Sequence, residues 1–143
     1  MPFQIRTASP EDAPVLHRLN TTFNGDTGVS CDMIRRSLLA CPEIVLIAAH
    51  DGFPAGFCCA QVHRSFCYPA PVAEVTEMYV EPAFRGQGCA GAMLRFLEEH
   101  LRSGYGVDEM HLLTGCGNLA AQAAYRKAGF APHPEAYMVK ELT

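Results

Sequence analysis

The sequence predicts an α/β (α+β) protein with a single mixed β-sheet of about six to seven strands and about four flanking helices. Short β-branched runs alternate with segments of helical periodicity, in the order β-α-α-β-β-β-α-β-α-β-β. A length of 143 residues suits one domain, residues 1–143, with a buried core. The composition, 49% hydrophobic and 18% charged, is typical of a folded protein and argues against disorder.

The first half of the chain is predicted to form one strand, two helices and a β-hairpin. Residues 3–8 alternate as a strand does, and Ser9 is a suitable N-cap for the helix that follows. After a loop rich in Gly, Asn and Asp, Ser30 is placed to cap a second helix. Two apolar runs around an Asp-Gly turn, residues 43–50 and 55–63, indicate an antiparallel hairpin.

The second half is predicted to alternate between strands and helices. Its helical segments repeat apolar residues on one face, and Gly129 is expected to end the last helix in a left-handed conformation. The predicted elements are a strand at 72–81, a helix at 88–102, a strand at 108–114, a helix at 118–129, and two short strands at 130–132 and 136–142.

Charge and cysteine content narrow the class of protein. The formal charge of −4 argues against a nucleic-acid partner, which needs clustered Lys and Arg. No apolar run is long enough to span a bilayer and the N-terminus lacks the apolar centre of a secretion signal, so we expect a cytoplasmic protein without a membrane partner. The seven cysteines form no C-x-x-C pair, which favours reduced, mostly buried thiols and no metal site.

A glycine-rich turn precedes the third predicted helix, where Gly86, Gly88 and Gly91 have the spacing G-x-G-x-x-G. In a dinucleotide-binding fold, the next strand ends near an acidic residue that binds the ribose. Here Asp108 and Glu109 come before that strand's apolar residues, and too little chain follows for the remaining strands. The turn is still expected to bind an anion, best a pyrophosphate, because backbone amides and a helix dipole converge there.

Two segments have the pattern of known motifs. The first is Arg85-Gly86-Gln87-Gly88-Cys89-Ala90, which has the form [Arg or Gln]-x-x-Gly-x-[Gly or Ala]. The second has the form Asn-x-x-Ala-x-x-x-Tyr-x-x-x-Gly-Phe, and its fixed positions are Asn118, Ala121, Tyr125, Gly129 and Phe130. Both are motifs of the GNAT superfamily of acyl-CoA N-acyltransferases, and the chain resembles this family.

The resemblance implies that acetyl-CoA is the acyl donor and binds beside the glycine turn. The main chain of Met78, Tyr79 and Val80 would pair with the pantetheine arm like an added strand, and Asn118 would contact the same arm. The amides that would hold the pyrophosphate are those of Arg85, Gly86, Gln87, Gly88, Cys89 and Ala90.

The resemblance also implies where the thioester would lie. The family's sheet has a splay between two central parallel strands, which here are the strand ending at Val80 and the one ending at Thr114. The acyl thioester would occupy that opening.

The expected reaction moves an acetyl group to a primary amine by direct attack in a ternary complex. Because an alkyl amine has a pKa of ~10.4, it is almost wholly protonated at neutral pH, and a base must accept its proton before it can attack. Glu74, at the position of the family's glutamate, is the first choice, and Glu77 is the alternative, either as the base or as the anion that attracts the substrate's ammonium group. Alternation puts the two on opposite faces of the strand unless a bulge intervenes. Tyr125 is expected to protonate the departing thiolate, and main-chain N–H groups near 78–80 to stabilise the oxyanion.

Two cysteines are alternative reactive groups. Cys116 follows a predicted strand near the splay and would be a nucleophile if it were activated. Cys89, at the start of a helix, is expected to have a lowered pKa. No neighbouring His or Asp in the local sequence activates Cys116, so direct transfer is preferred over a covalent intermediate.

The sequence leaves the amine open: small amines, aminoglycosides, amino acids, and peptide N-termini or lysines are all candidates. Two loops carry aromatic and acidic side chains that would suit a cation if they converged, namely Phe23, Asp26, Phe66 and Tyr68. Two rival functions are a non-catalytic acyl-CoA sensor of the same fold and, with less support, a dinucleotide-binding oxidoreductase module. A homodimer is compatible with the resemblance.

Overall fold

Five strands and four helices are found in residues 2–40 and 42–143, the part of the chain that this computed structural model describes. The strands are β1 (Gln4–Thr7), β2 (Ile44–His50), β3 (Phe53–His63), β4 (Val72–Val80) and β5 (Met110–Leu112). The helices are α1 (Ala13–Asn24), α2 (Cys31–Ala40), α3 (Cys89–Tyr105) and α4 (Leu119–Lys127), with 3-10 turns at Pro10–Asp12 and Pro82–Phe84. Of the helices described, none is both long and apolar enough to cross a membrane.

The strands form one mixed sheet in the order β1-β2-β3-β4-β5. Neighbours from β1 to β4 are antiparallel, and β5 runs parallel to β4 after the crossover through α3. The buried residues of α3, among them Met93 and Leu97, pack on one face of the sheet. Leu16 and Leu19 of α1 pack on the other face, beside Phe57. The predicted mixed sheet with four flanking helices is therefore confirmed, with fewer strands than expected.

Three of the predicted signals at helix ends are confirmed, whereas Ser9 precedes the 3-10 turn at Pro10–Asp12 and not α1 itself. The Oγ of Ser30 accepts a hydrogen bond from the N–H of Met33 at 3.1 Å, as an N-cap does. Asn118 caps α4 in the same way, because its Oδ1 accepts from the N–H of Ala121 at 3.2 Å. Gly129 follows α4 with a φ of 102°, a value that favours glycine.

The two strands predicted at 130–132 and 136–142 are wrong. Residues 131–143 have no helix or strand, and their side chains are exposed, those of Tyr137 and Met138 included. The composition of this segment suits a strand, but a strand forms only where a neighbour pairs with it. β5, at the edge of the sheet, is 3 residues long and presents a short edge for pairing.

β4 and β5 separate soon after they meet. The paired residues are Ala73 with Met110, Glu74 with His111, and Val75 with Leu112. Within the described chain, β4 continues from Thr76 to Val80 paired with β3 alone. The predicted splay between two parallel strands is therefore present, although β5 lies at the edge of the sheet and not at its centre.

A β-bulge at Thr76 sets the direction of the side chains beside this splay. Val75 and Glu77 face consecutive residues of β3, so Thr76 is an extra residue on β4. One extra residue reverses the alternation, and Glu74 and Glu77 therefore lie on the same face of the sheet. The opposite face carries Val75 and Met78, which pack in the core under α3.

Gly56 of β3 allows β4 to lie close at the point where the splay opens. It pairs with Val80, and a Cβ at position 56 would clash with the main-chain carbonyl of Tyr79. We expect Gly56→Ala to lower the free energy of unfolding by about 1–3 kcal/mol, because β4 must shift to admit the methyl group. Urea denaturation measures this change.

Gly104→Ala is the matched control. Gly104 lies inside α3 with nothing near the position of an added Cβ. The same substitution there should raise the free energy of unfolding by about 0.4–1 kcal/mol. Wild-type stability in Gly56→Ala would show that β4 does not depend on this close approach.

Candidate active site

The glycine turn joins β4 to α3 and has open space around it. Gly86 and Gly88 have φ values of 73° and 89°, in the left-handed region that glycine adopts without strain. An added Cβ at either position would have nothing within 4 Å. The first hydrogen bond into α3 runs from the N–H of Ala92 to the carbonyl of Gly88 at 3.0 Å. The N–H groups of residues 89–91 thus precede the intrahelical bonds and are available to an anion.

Two side chains brace this turn, one against the end of β4 and one against the 3-10 turn that precedes it. Arg85 donates its Nε–H to the carbonyl of Val80 at 2.8 Å, and its guanidinium lies 5.8 Å from the centre of the Tyr79 ring. The Nε2 of Gln87 donates to the carbonyl of Ala83 at 3.0 Å. The positive charge of Arg85 is therefore held beside the end of β4, and it occupies the Val80 carbonyl that the resemblance assigns to the pantetheine arm.

Tyr79 anchors the end of β4 to α1 on the other face of the sheet. Its ring stacks on Phe23 with 5.0 Å between centroids, and its hydroxyl donates to Glu81 at 3.2 Å. Glu81 also accepts from Arg18 of α1 at 3.1 Å. Burial first, and then the charge of Glu81, raise the pKa of Tyr79. The Tyr79 side chain is therefore structural, whereas its main chain lies at the splay.

Tyr125 lies in α4 and packs against the core under α3. Its ring meets Phe130 edge to face, with 6.1 Å between centroids. Burial raises the pKa of Tyr125, and the thiol of Cys58 is a smaller cause in the same direction. The phenol is thus protonated at neutral pH and can act as a proton donor.

Glu74 lies between two histidines on neighbouring strands. Its Oε1 is 3.3 Å from the Nε2 of His63 on β3, and His111 of β5 is its partner in the parallel pairing. The two imidazole rings are stacked, with 6.4 Å between centroids. A neutral imidazole has one nitrogen that donates a hydrogen bond and one that accepts, so this row of side chains offers a path for a proton. No described group of three or more His, Cys, Asp or Glu residues is arranged to hold a metal ion.

Glu77 lies near a second carboxyl group, that of Glu43, which the sequence analysis missed. Both Glu77 and Glu43 line a cavity between the sheet and the first two helices. Burial is the main cause that raises the pKa of Glu43, and the charge of Glu77 adds to it, while a hydrogen bond with Cys59 opposes it. A signal for Glu43 was available, because it precedes Val45 and Ile47 by two and four residues on one alternating face of β2.

The aromatic and acidic loop residues do not form one lining. Phe23 packs on Tyr79, and the Oδ1 of Asp26 accepts from the N–H of Gly28 at 2.9 Å within its own loop. Phe66 and Tyr68 line a separate cavity of about 260 Å³ formed by residues 64–71. That cavity shares no described lining residue with the one that contains Glu43 and Glu77.

The prediction of a lowered pKa for Cys89 is wrong. Cys89 is 2% exposed, and burial raises its pKa to about 11. Removal of the thiolate from water outweighs the favourable dipole of the helix start. Cys116 is exposed in the loop before α4. Cys41, one of the seven cysteines predicted to be reduced thiols, lies outside the described residues.

The profile of the acetyltransferase (GNAT) family matches residues 14–130, which include the glycine turn, β4 and α4. The chain belongs to the GNAT acetyltransferase family. The match to residues 14–130 extends over both GNAT motifs, from Arg85 to Ala90 and from Asn118 to Phe130. A search of curated protein sequences returned no significant match.

Solved structures share the GNAT fold over nearly the whole chain. An aminoglycoside acetyltransferase from an uncultured soil metagenomic sample has a TM-score of 0.84 at 16% identity, covering 99% of this chain and 97% of its own. A ribosomal-protein-alanine N-acetyltransferase from Brucella melitensis biovar Abortus 2308 has a TM-score of 0.81 at 18% identity, with coverage of 98% and 100%. A probable acetyltransferase has a TM-score of 0.86 at 20% identity, with coverage of 98% and 99%. At these identities, the likeness shows the fold.

The burial of the thiols in this GNAT protein predicts their order of reaction. Cys67 and Cys116 are exposed, whereas Cys58, Cys59 and Cys89 are buried. In the folded protein, a chromogenic disulfide reagent should modify the first two rapidly and reach the other three only on unfolding, because it needs an accessible thiolate.

Mass spectrometry after a short exposure identifies the modified residues. The double variant Cys67→Ser and Cys116→Ser is the control and should lose the corresponding fast amplitude. Rapid labelling of Cys89 in the folded protein would contradict its burial and its raised pKa.

Proposed function

We propose that this protein is an acetyl-CoA-dependent N-acetyltransferase that acts on a primary amine by direct attack in a ternary complex. One observation carries the proposal: β4 leaves β5 shortly before the chain enters the glycine turn. An open strand edge, an anion-binding turn and ionisable side chains are thus placed together. Acetyl transfer from a long phosphorylated thioester needs all three.

The glycine turn has the properties that a pyrophosphate requires. Gly86 and Gly88 leave room for close approach, and the N–H groups at the start of α3 add a positive dipole end. We assign the main-chain amides of Arg85 to Ala90 to the pyrophosphate. Arg85 adds a full positive charge beside them.

The free edge of β4 supports binding of the pantetheine arm along residues 78–80. In the described chain these residues have β3 on one side and no strand on the other, and Arg85 would have to share or release the carbonyl of Val80 when the arm pairs there. The nearby hydroxyl of Thr76 is buried and has no hydrogen-bond partner among the described residues. An unpaired buried hydroxyl is costly, which makes the bulge at Thr76 a destabilised point of β4 next to the free edge. We expect Asn118 to contact the same arm through the amide nitrogen that its capping role leaves free.

Removal of the amine proton is assigned to the carboxylates on β4. Glu74 and Glu77 lie on one face because of the bulge at Thr76, so both carboxylates are on the same side of the sheet. Glu74 can pass the proton on through His63. Glu77 lies nearer to residues 78–80, where we expect the thioester.

The remaining steps transfer the acetyl group to the amine and protonate the thiolate that leaves. Acetyl-CoA, when bound, supplies the thioester. The amine nitrogen forms a bond to the acetyl carbon, the carbon–sulfur bond breaks, and Tyr125 protonates the thiolate that leaves. Main-chain N–H groups near Met78 to Val80 are placed to stabilise the oxyanion. Solvent restores the proton of Tyr125 between turnovers.

Other properties stay predictions made from the sequence. The acceptor is expected to be a small-molecule or peptide amine and not a nucleic acid, given the formal charge of −4. Cytoplasmic location and a homodimer are likewise expected.

Ligand binding and product release separate the proposed function from its rivals. Acetyl-CoA should raise the melting temperature, and NAD should leave it unchanged. Release of free thiol with an amine library should then identify acceptors. A non-catalytic sensor would bind acetyl-CoA and release no thiol with any amine, and stabilisation by NAD alone would overturn the assignment.

Tyr125→Phe tests the proton donor. Loss of a general acid should lower kcat by about 10²- to 10⁴-fold, while the affinity for acetyl-CoA stays nearly the same. Steady-state kinetics and calorimetry measure the two quantities. Tyr105→Phe, at the end of α3, is the control for removal of a tyrosine hydroxyl. An unchanged kcat in Tyr125→Phe would remove this residue from the mechanism.

Gly88→Val tests the phosphate turn. The substitution puts a β-branched side chain where φ is 89° and where the anion must approach the amides, so the affinity for acetyl-CoA should fall about 10- to 100-fold. Gly25→Val is the matched control, because Gly25 has a φ of 77° and equally open surroundings away from the turn. Normal acetyl-CoA affinity in Gly88→Val would count against the whole assignment.

A further inference from the structure

A cavity of about 220 Å³ lies between the sheet and the first two helices, with Glu77 of β4 in its wall. Ile34, Ser37 and Leu38 of α2 cover it, and Val45 and Phe57 belong to its floor. Most of the lining is apolar. An apolar cavity of roughly 150 Å³ is large enough to hold benzene. This cavity is therefore of the size of an aromatic ring or a branched aliphatic group.

Two carboxyl groups interrupt the apolar lining. Glu43 enters from the residue before β2 and Glu77 from β4, and Cys59 of β3 lies in the same wall. No Lys, Arg or His is among the described residues that line the cavity. Two neighbouring carboxylates without a cation repel each other, and a bound ammonium group would remove that repulsion.

We propose that this cavity selects the acceptor: a compact primary amine whose ammonium binds between Glu43 and Glu77 and whose apolar side chain fills the space under α2. This inference rests on the proposed function for its chemistry. The two carboxylates pair with one ammonium group, and further charges on a polyamine or an aminoglycoside would be left in the apolar part of the cavity without partners. Burial of an unpaired charge is costly.

The position of Glu77 connects this cavity to the transfer reaction. Glu77 directly precedes Met78, the first of the residues expected to align the pantetheine arm. An amine held at Glu77 therefore lies next to the predicted thioester. Glu43 lies before β2 and is not adjacent to the residues expected to align the pantetheine arm. We therefore assign Glu43 to binding of the substrate's positive charge and not to proton transfer.

A pair of isosteric ligands tests charge recognition without any turnover. In the presence of CoA, 3-methylbutylamine should bind at least ~10-fold more tightly than 3-methylbutanol, because only the ammonium pairs with the carboxylates. Glu43→Gln should weaken binding of the amine by about 10- to 100-fold and leave CoA binding unchanged. Glu99→Gln, which removes an equal charge from the exposed surface of α3, is the control. Equal affinity for amine and alcohol, or normal amine binding by Glu43→Gln, would overturn the inference.

Ser37→Leu tests the apolar part of the cavity. The larger side chain should raise KM for 3-methylbutylamine, whereas acetyl-CoA should still raise the melting temperature of the variant, which shows that it folds and binds the donor. If Ser37→Leu does not fold, Glu43→Gln alone decides.

Thiol release with different amines separates the two proposals. Binding of 3-methylbutylamine without release of CoA thiol would remove the proposed catalysis and leave the cavity as an amine site. Efficient acetylation of spermidine, with none of any compact amine, would retain the catalysis and overturn the inference about the cavity.

Discussion

The separation of β4 from β5 is the constraint on which the site depends. Three residue pairs hold the strands parallel as far as Val75, and from Thr76 onward β4 offers a free edge on that side in the described chain. In a continuous sheet, the main-chain N–H and C=O groups of a strand are hydrogen-bonded to the strands on both sides. A strand can therefore bind an extended ligand only where one side has no neighbouring strand. The glycine turn follows that free edge along the chain, so the two parts of the proposed acetyl-CoA site are consecutive in the sequence.

The bulge at Thr76 determines which side of the sheet each side chain near this edge faces. Without the extra residue, Glu74 and Glu77 would face opposite sides of the sheet. With it, Glu77 faces the cavity under α2, and Met78 and Val80 face the core under α3. The proposed acceptor cavity and the core under α3 thus lie on the two faces of one strand. The close approach of β4 to Gly56 and the Tyr79–Glu81–Arg18 contacts hold that strand in place.

Features that depend on a few consecutive residues were predicted well. The turn at Gly86 and Gly88, the N-cap at Asn118 and the helix end at Gly129 were all recognised, because each reports a backbone angle or a local hydrogen bond. Features that depend on distant partners were not. The predicted C-terminal strands are absent because β5 offers too short an edge for them to pair with. The pKa of Cys89 is raised because α3 buries that thiol in the core.

The sequence by itself determined the family, the order of the first nine elements and the glycine turn before α3, since glycine angles, caps and apolar periodicity act over a few residues. Only the tertiary structure decided the face of Glu77, the partnership with Glu43 and the shape of the cavity between the sheet and α2. The register of β3 against β4 fixes all three. That register follows from how side chains pack on both faces of the sheet, and contacts of that kind join residues far apart in the chain.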